Sequence, residues 1–140
     1  GIISGLFGRS DIIFADRLNH ASLIDGVLLS RAVFRRYPHG DMASLEGMLK
    51  ASRRYRQRAI LTDTVFSMDG DIAPLDRITA LAQKYDCLVM VDEAHAVGVL
   101  GPNGRGAVEH FGLQNAVDIQ MGTLSKAVGA FGAYCCGRRS

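Results

Sequence analysis

Long apolar runs are missing from this chain of 140 residues. Nothing in it approaches the ~20 consecutive apolar residues that a membrane-spanning helix needs, and the Ile2–Phe7 stretch is too short and too glycine-rich for a secretory leader. Cysteine is scarce as well. Cys87 lies in an apolar run and Cys135 and Cys136 are neighbours, which is neither a disulfide framework nor a CxxC pair. With no HExxH either, no metal site is expected, and a reducing cytoplasm is the default location. Neither sign of charge is in excess, and a formal charge of +2 is too small for a nucleic-acid footprint. Arg53, Arg54, Arg56 and Arg58 do cluster, and read as the solvated end of a helix, where the dipole favours cations. There is no internal repeat, low-complexity tract or linker, so one domain is expected. Gly1 stands where a Met would, and the last residues directly follow a strand. The chain is therefore expected to be a piece of a larger one.

What is present is an alternation of strand and helix patterns. Asp11–Ala15 reads as a short strand, followed by a helix from about Ser22 with Leu23, Ile24, Val27 and Leu28 on one face. A second strand starts at Val33-Phe34 and closes before Pro38. Asp41 is a candidate N-cap for a helix whose stripe is Met42, Leu45, Met48 and Leu49. Ala59–Thr62 reads as a strand and Ser67–Asp71 as a loop. Pro74 sits where a first-turn proline belongs, ahead of Leu75, Ile78, Leu81, Ala82 and Tyr85 at helical spacing. Cys87–Val91 is continuously apolar, as in a strand covered on both faces. A glycine-rich loop from Gly98 to Gly106 leads to a short helix near Val108–Phe111, then to strands at Asp118–Met121 and Ala133–Cys136. The expected fold class is α/β: a mostly parallel sheet with helices on both faces.

Ligands gather at the carboxyl ends of the strands in such sheets, and three polar groups fall there: Thr62–Ser67, Asp92–His95 and Thr123–Lys126. Lys126 alone would read as a surface lysine in a turn. At the bottom of a cleft, desolvation would instead supply the neutral amine needed for attack on a carbonyl. Thr123 and Ser125 offer hydroxyls for a phosphate, or simple turn chemistry. Asp92 ends an apolar strand, either as a cap or as the partner of a cation. His95 and His20 gain weight only from these neighbours. His20 could equally be exposed beside a helix start capped by Asn19 or Ser22.

Four segments, in order, resemble the α-oxoamine synthases: Leu18-Asn19-His20-Ala21-Ser22, Val65–Asp71, Val91–Gly101 with Gly104-Arg105-Gly106, and Gly122–Gly129. The resemblance runs over nearly the whole chain. It implies the type I, aspartate aminotransferase-like fold of pyridoxal 5'-phosphate (PLP) enzymes, with residues 1–140 forming part of the large domain and an N-terminal segment and a C-terminal domain lying outside them. By the same resemblance Lys126 would hold the cofactor covalently. Asp92 would pair with its ring nitrogen, His95 with its phenolic oxygen, and His20 would stack on the ring. Ser67 and Thr123 would complete the cofactor contacts, Thr123 at the phosphate, and Lys126 and His20 would be the catalytic pair. The family condenses an amino acid with an acyl thioester, on coenzyme A or a carrier protein, and releases carbon dioxide. It works as a homodimer. The wording from Met121 to Gly129, with Gly132-Ala133-Tyr134, narrows the resemblance to members that join L-alanine to a pimeloyl thioester, with those joining glycine to an acetyl thioester as the alternative. The fragment by itself is expected to be inactive.

A reading from another class is the acidic pair of a DEAH-type helicase, on Val89–His95. It requires a GxxxxGK[ST] phosphate loop, and the chain contains no Gly-Lys pair. It also leaves Lys126, Ser67 and His20 unexplained.

Overall fold

The computed structural model describes residues 1–137. Six strands form one sheet: β1 (Ile12–Asp16), β2 (Val33–Tyr37), β3 (Arg58–Asp63), β4 (Leu88–Asp92), β5 (Ile119–Thr123) and β6 (Ala133–Gly137), in the order β2-β1-β3-β4-β5-β6. The first five pair in parallel, and β6 closes the edge antiparallel to β5. Five helices accompany them: α1 (Ile2–Leu6), α2 (Ala21–Ser30), α3 (Met42–Lys50), α4 (Leu75–Tyr85) and α5 (Ala107–His110).

Side chains alternate across a strand, and here the alternation sorts two cores. Ile12 and Phe14 join Ile60, Val89 and Val91 beneath Leu45 and Leu49 of α3 and Leu75 and Ile78 of α4. Ile13 and Ala15 turn the other way, with Ala59, Leu61 and Met90, against Ile3 and Phe7 of the N-terminal segment and Leu23 and Val27 of α2. Covering both faces is what leaves β1, β3 and β4 buried almost throughout.

Local chemistry sets the boundaries. The Asp41 carboxylate accepts the Ser44 N–H at 3.0 Å and starts α3. Pro74 is the N-cap of α4, one position earlier than its spacing implies, and β3 runs one residue longer, to Asp63. Two local readings are corrected. Leu28 lies outside the buried stripe of α2: it is 63% exposed, because Leu23 and Val27, one turn apart, take the face of the helix that meets the sheet. The Ile2–Phe7 stretch contains a helix, α1, which the sequence pattern did not reveal. Five residues with an internal glycine carry no period, and α1 is held by packing, with Ile3 seated against Gly26 of α2.

The arginine cluster is in part structural. Asp11 is fully buried at the amino end of β1 and accepts both Arg56 Nε at 3.0 Å and Arg56 Nη2 at 2.7 Å, along with the N–H groups of Gly8 and Gln57. Burial raises the Asp11 pKa, but Arg56 and the two backbone donors outweigh it and hold the carboxyl below its ordinary 3.8. A lowered folded-state value contributes stability that is present above the ordinary value and lost as the pH falls through the lower one. Asp11→Ala, which strands these donors, is expected to cost about 2–4 kcal/mol in urea denaturation. Asp11→Asn should remove the carboxylate's share of the acid limb of the stability–pH curve; an unchanged limb would refute this account.

Candidate functional site

The chain leaves β1 for α2 on one face of the sheet and leaves β3 for α4 on the other. Loops diverging from neighbouring strands open a crevice at their carboxyl ends. A cleft of about 260 Å³ lies at this end of the sheet, lined by His20, Asp63, Asp92, Ala94, His95, Thr123, Ser125 and Lys126, with Ser22, Met121 and Ala133. Stretches around residues 20, 63, 92 and 123, far apart in sequence, thus meet.

Asp92 ends β4 and is 5% exposed. Its Oδ1 accepts the Ala94 N–H at 2.9 Å, so the carboxylate is fixed at the cleft with one oxygen left for a cation. Burial raises its pKa, opposed by the Ala94 N–H and the charge of Lys126. His95 follows on the next turn, and Lys126 Nζ stands 2.8 Å from its Nε2. Burial and the neighbouring Lys126 push the His95 pKa down, so the imidazole is neutral at pH 7 and can accept from the ammonium. His20 is the N-cap of α2 itself: its Nδ1 accepts the Ser22 N–H at 3.3 Å and lies 2.8 Å from Ser22 Oγ. The capping read onto Asn19 or Ser22 therefore belongs to His20. With Nδ1 used as an acceptor, the neutral ring carries its proton on Nε2. Thr123 Oγ1 lies 2.7 Å from Ser125 Oγ and 3.2 Å from the Gly132 carbonyl oxygen, which holds the turn that presents Lys126.

Ser67 stands apart from this group. It is exposed in the turn after β3 and is not among the residues lining the cleft. Asp63 takes the place on β3 instead. It is directly opposite Asp92 in the strand register and 4% exposed, with its pKa raised to about 6. Burial is the main cause; the His20 N–H lowers the value, and Asp92 raises it. The available signal was an acid after an apolar strand, the same signal that marks Asp92.

Glu93, which the sequence offered only as a member of the Asp92–His95 group and of the helicase's acidic pair, has a structural task. It is 1% exposed, and its carboxylate accepts Thr64 Oγ1 at 2.9 Å, the Ala107 N–H at 2.9 Å and the Val108 N–H at 2.8 Å. The first N–H groups of a helix lack partners within it, and Glu93 supplies them for α5. Gly106 makes room: a Cβ there would come within 2.5 Å of Glu93 Oε2, at a φ of +106°. Gly98, at φ +81°, lies against Ala127, the neighbour of Lys126. The glycine-rich loop is thus pinned between Glu93 and the lysine turn. A carboxylate consumed in this way cannot activate water, which counts against the helicase reading of the Asp92-Glu93 pair.

An amine, two buried acids and two imidazoles at the carboxyl edge of a parallel sheet define an α/β unit with a lysine-lined cleft. The chain belongs to the aminotransferase class I and II family, whose sequence model matches residues 1–140. It is 60% identical over 134 residues to an 8-amino-7-oxononanoate synthase of Citrifermentans bemidjiense, covering 96% of this chain and 34% of that protein. It is 55% identical over 139 residues to 8-amino-7-oxononanoate synthase 1 of Bacillus subtilis, covering 99% and 36%. Among solved structures, serine palmitoyltransferase from S. paucimobilis with a bound PLP–myriocin aldimine superposes at a TM-score of 0.95 with 37% identity, over 99% of this chain and 36% of that one. The 8-amino-7-oxononanoate synthase of Francisella tularensis superposes at 0.83 with 40% identity, over 98% and 39%. The chain spans about a third of the length of the relatives it matches.

Glu93→Gln keeps the shape of the side chain but turns one acceptor oxygen toward N–H donors as an NH₂. It is expected to lower stability by about 2 kcal/mol in chemical denaturation. A change under about 0.5 kcal/mol, the range of an ordinary surface substitution, would show that the tether contributes nothing.

Proposed function

We propose that this chain is the cofactor-binding part of a PLP-dependent enzyme that condenses L-alanine with a pimeloyl thioester, releasing carbon dioxide and 8-amino-7-oxononanoate for biotin biosynthesis. The observation that carries the reading is the convergence of the Lys126 amine, the Asp92 carboxylate and the neutral His95 in one cleft. The relatives named above lend the substrates, and the solved serine palmitoyltransferase with PLP lends the cofactor.

The residues fit a phosphorylated pyridine aldehyde. Asp92 is a buried anion with an oxygen to spare beside the cleft, the partner a protonated ring nitrogen needs. Lys126 offers the amine for covalent attachment, and His95 a neutral imidazole for the phenolic oxygen. The Thr123 hydroxyl is available to the phosphate, and Ser67 would join from the turn after β3. His20 would lie on the ring. The cofactor supplies an electron sink that makes loss of the substrate's α-proton feasible. This chain's residues supply the rest. Lys126 moves the α-proton, His95 and Asp92 hold the charges that favour its departure, and His20 excludes water and orients the substrate above the cleft. The whole enzyme is read as a cytoplasmic homodimer.

A second arrangement, glycine with acetyl-CoA, would use the same residues. The full-length protein, assayed with alanine, glycine and serine against pimeloyl and acetyl thioesters, is expected to prefer alanine with pimeloyl. Preference for glycine with acetyl-CoA would move the reading to glycine C-acetyltransferase. Borohydride reduction should fix the cofactor mass on the peptide containing Lys126, and Lys126→Ala should abolish this adduct and reduce turnover by at least about 10³-fold. An adduct persisting on another residue would overturn the assignment. The 140 residues alone, without the remainder of their relatives' length, are expected to show no turnover; measurable turnover would refute that.

A further inference from the structure

The cleft contains one buried group that the reading above does not use. Asp63 sits at the end of β3 in register with Asp92, and its carboxylate Oδ2 accepts the His20 N–H at 2.7 Å across 43 positions of sequence. Its own backbone N–H donates to Asn19 Oδ1 at 3.2 Å, while Asn19 Nδ2 donates to the Leu61 carbonyl at 2.8 Å. The ladder between β1 and β3 ends at Ala15 and Leu61, and beyond it these bonds tie the Asn19-His20 turn to β3.

We propose that Asp63 is a positioning residue: its carboxylate, through the His20 N–H, locks the His20 turn to the end of β3 and so fixes where the imidazole lies over the cleft. The proposal rests on the cofactor reading, in which His20 covers the bound ring. The geometry supports it at both ends. The ring's Nδ1 is taken up with Ser22, so once its backbone is placed by Asp63 the imidazole has little freedom left. Groups facing Asp63 come from each neighbouring element: Asp92 from β4, His20 from the turn after β1, and Lys126 from the turn after β5. Asp63 is held near a pKa of about 6 by burial, the His20 N–H opposing and Asp92 adding to it. The charge-assisted bond to His20 is therefore complete above that value and weakens as the pH falls through it.

The experiment uses full-length apo-protein labelled with ¹⁵N-histidine, with the His20 amide identified by its loss in His20→Ala. Its shift should titrate with a midpoint near 6 in the wild type and stay flat in Asp63→Asn. Affinity for pyridoxal phosphate, read by absorbance titration, should fall about tenfold in Asp63→Ala. Asp63→Asn should restore it to within about twofold, because its Oδ1 takes the same N–H. His20→Ala placed on Asp63→Ala should cost nothing further, since both act through one contact. A His20 amide that does not titrate in the wild type, or losses that add in the double variant, would overturn the proposal. If Asp63→Ala does not fold, the amide titrations of wild type and Asp63→Asn decide. Failure of the wild type to take up pyridoxal phosphate would sink the cofactor reading instead, and leaves the amide titration as a direct reading of Asp63.

Discussion

The parting of β1 from β3 is the constraint on which the cleft depends. A parallel sheet covered on both faces must send some strands to helices on one side and some to the other, and where that change falls between neighbours the loops part at the carboxyl edge. The split is a place for a ligand, but it also leaves backbone groups without partners in a nearly dry environment, at a cost of about 1–3 kcal/mol each. Asn19 offsets this by presenting its amide to the Leu61 carbonyl and the Asp63 N–H, as a side-chain continuation of the ladder. The opening is kept and its wall stays hydrogen-bonded.

The neighbouring acids Asp92 and Glu93 show how one step along a strand end divides labour. Asp92 is the last residue of β4, and its carboxylate stays at the cleft with a single backbone donor. Glu93 is more deeply buried, and both of its oxygens accept from Thr64 and the start of α5. One acid is left free to meet a ligand, while the other fixes the loop that closes against the lysine turn. Similar side chains take different tasks because the backbone turns between them.

Electrostatically the cleft is arranged in opposed pairs. Asp63 and Asp92 lie side by side and are both pushed toward the protonated form by burial. Lys126 offsets that push, and burial together with the same charge holds His95 neutral. A neutral imidazole beside an ammonium and two buried carboxylates is a set of groups that can pass a proton over short distances. The turn from Thr123 to Gly132 carries the lysine at the rim of the cleft; Lys126 is exposed there, not desolvated at the bottom as its place past an apolar strand suggested, because the turn lies beyond the covered part of the sheet.

The order of strands and helices, the two-sided burial of β4, and the grouping of Lys126, Asp92, His95 and Thr123 followed from the sequence. Periodicity and strand-end position are local properties, and Lys126, three residues past its strand, has few other reasons to be there. Tertiary structure alone decided the rest. Leu28 faces water because Leu23 and Val27 take the face of α2 that meets the sheet, and α1 is held because Ile3 finds Gly26. Glu93 became a tether and Asp63 a wall of the cleft through partners lying up to 44 positions away, a separation no local pattern encodes. Ser67 belongs to a motif in the sequence, yet its turn stands outside the cleft that the other residues form. Local pattern names which groups end a strand; only the closing of the sheet decides which of them face one another.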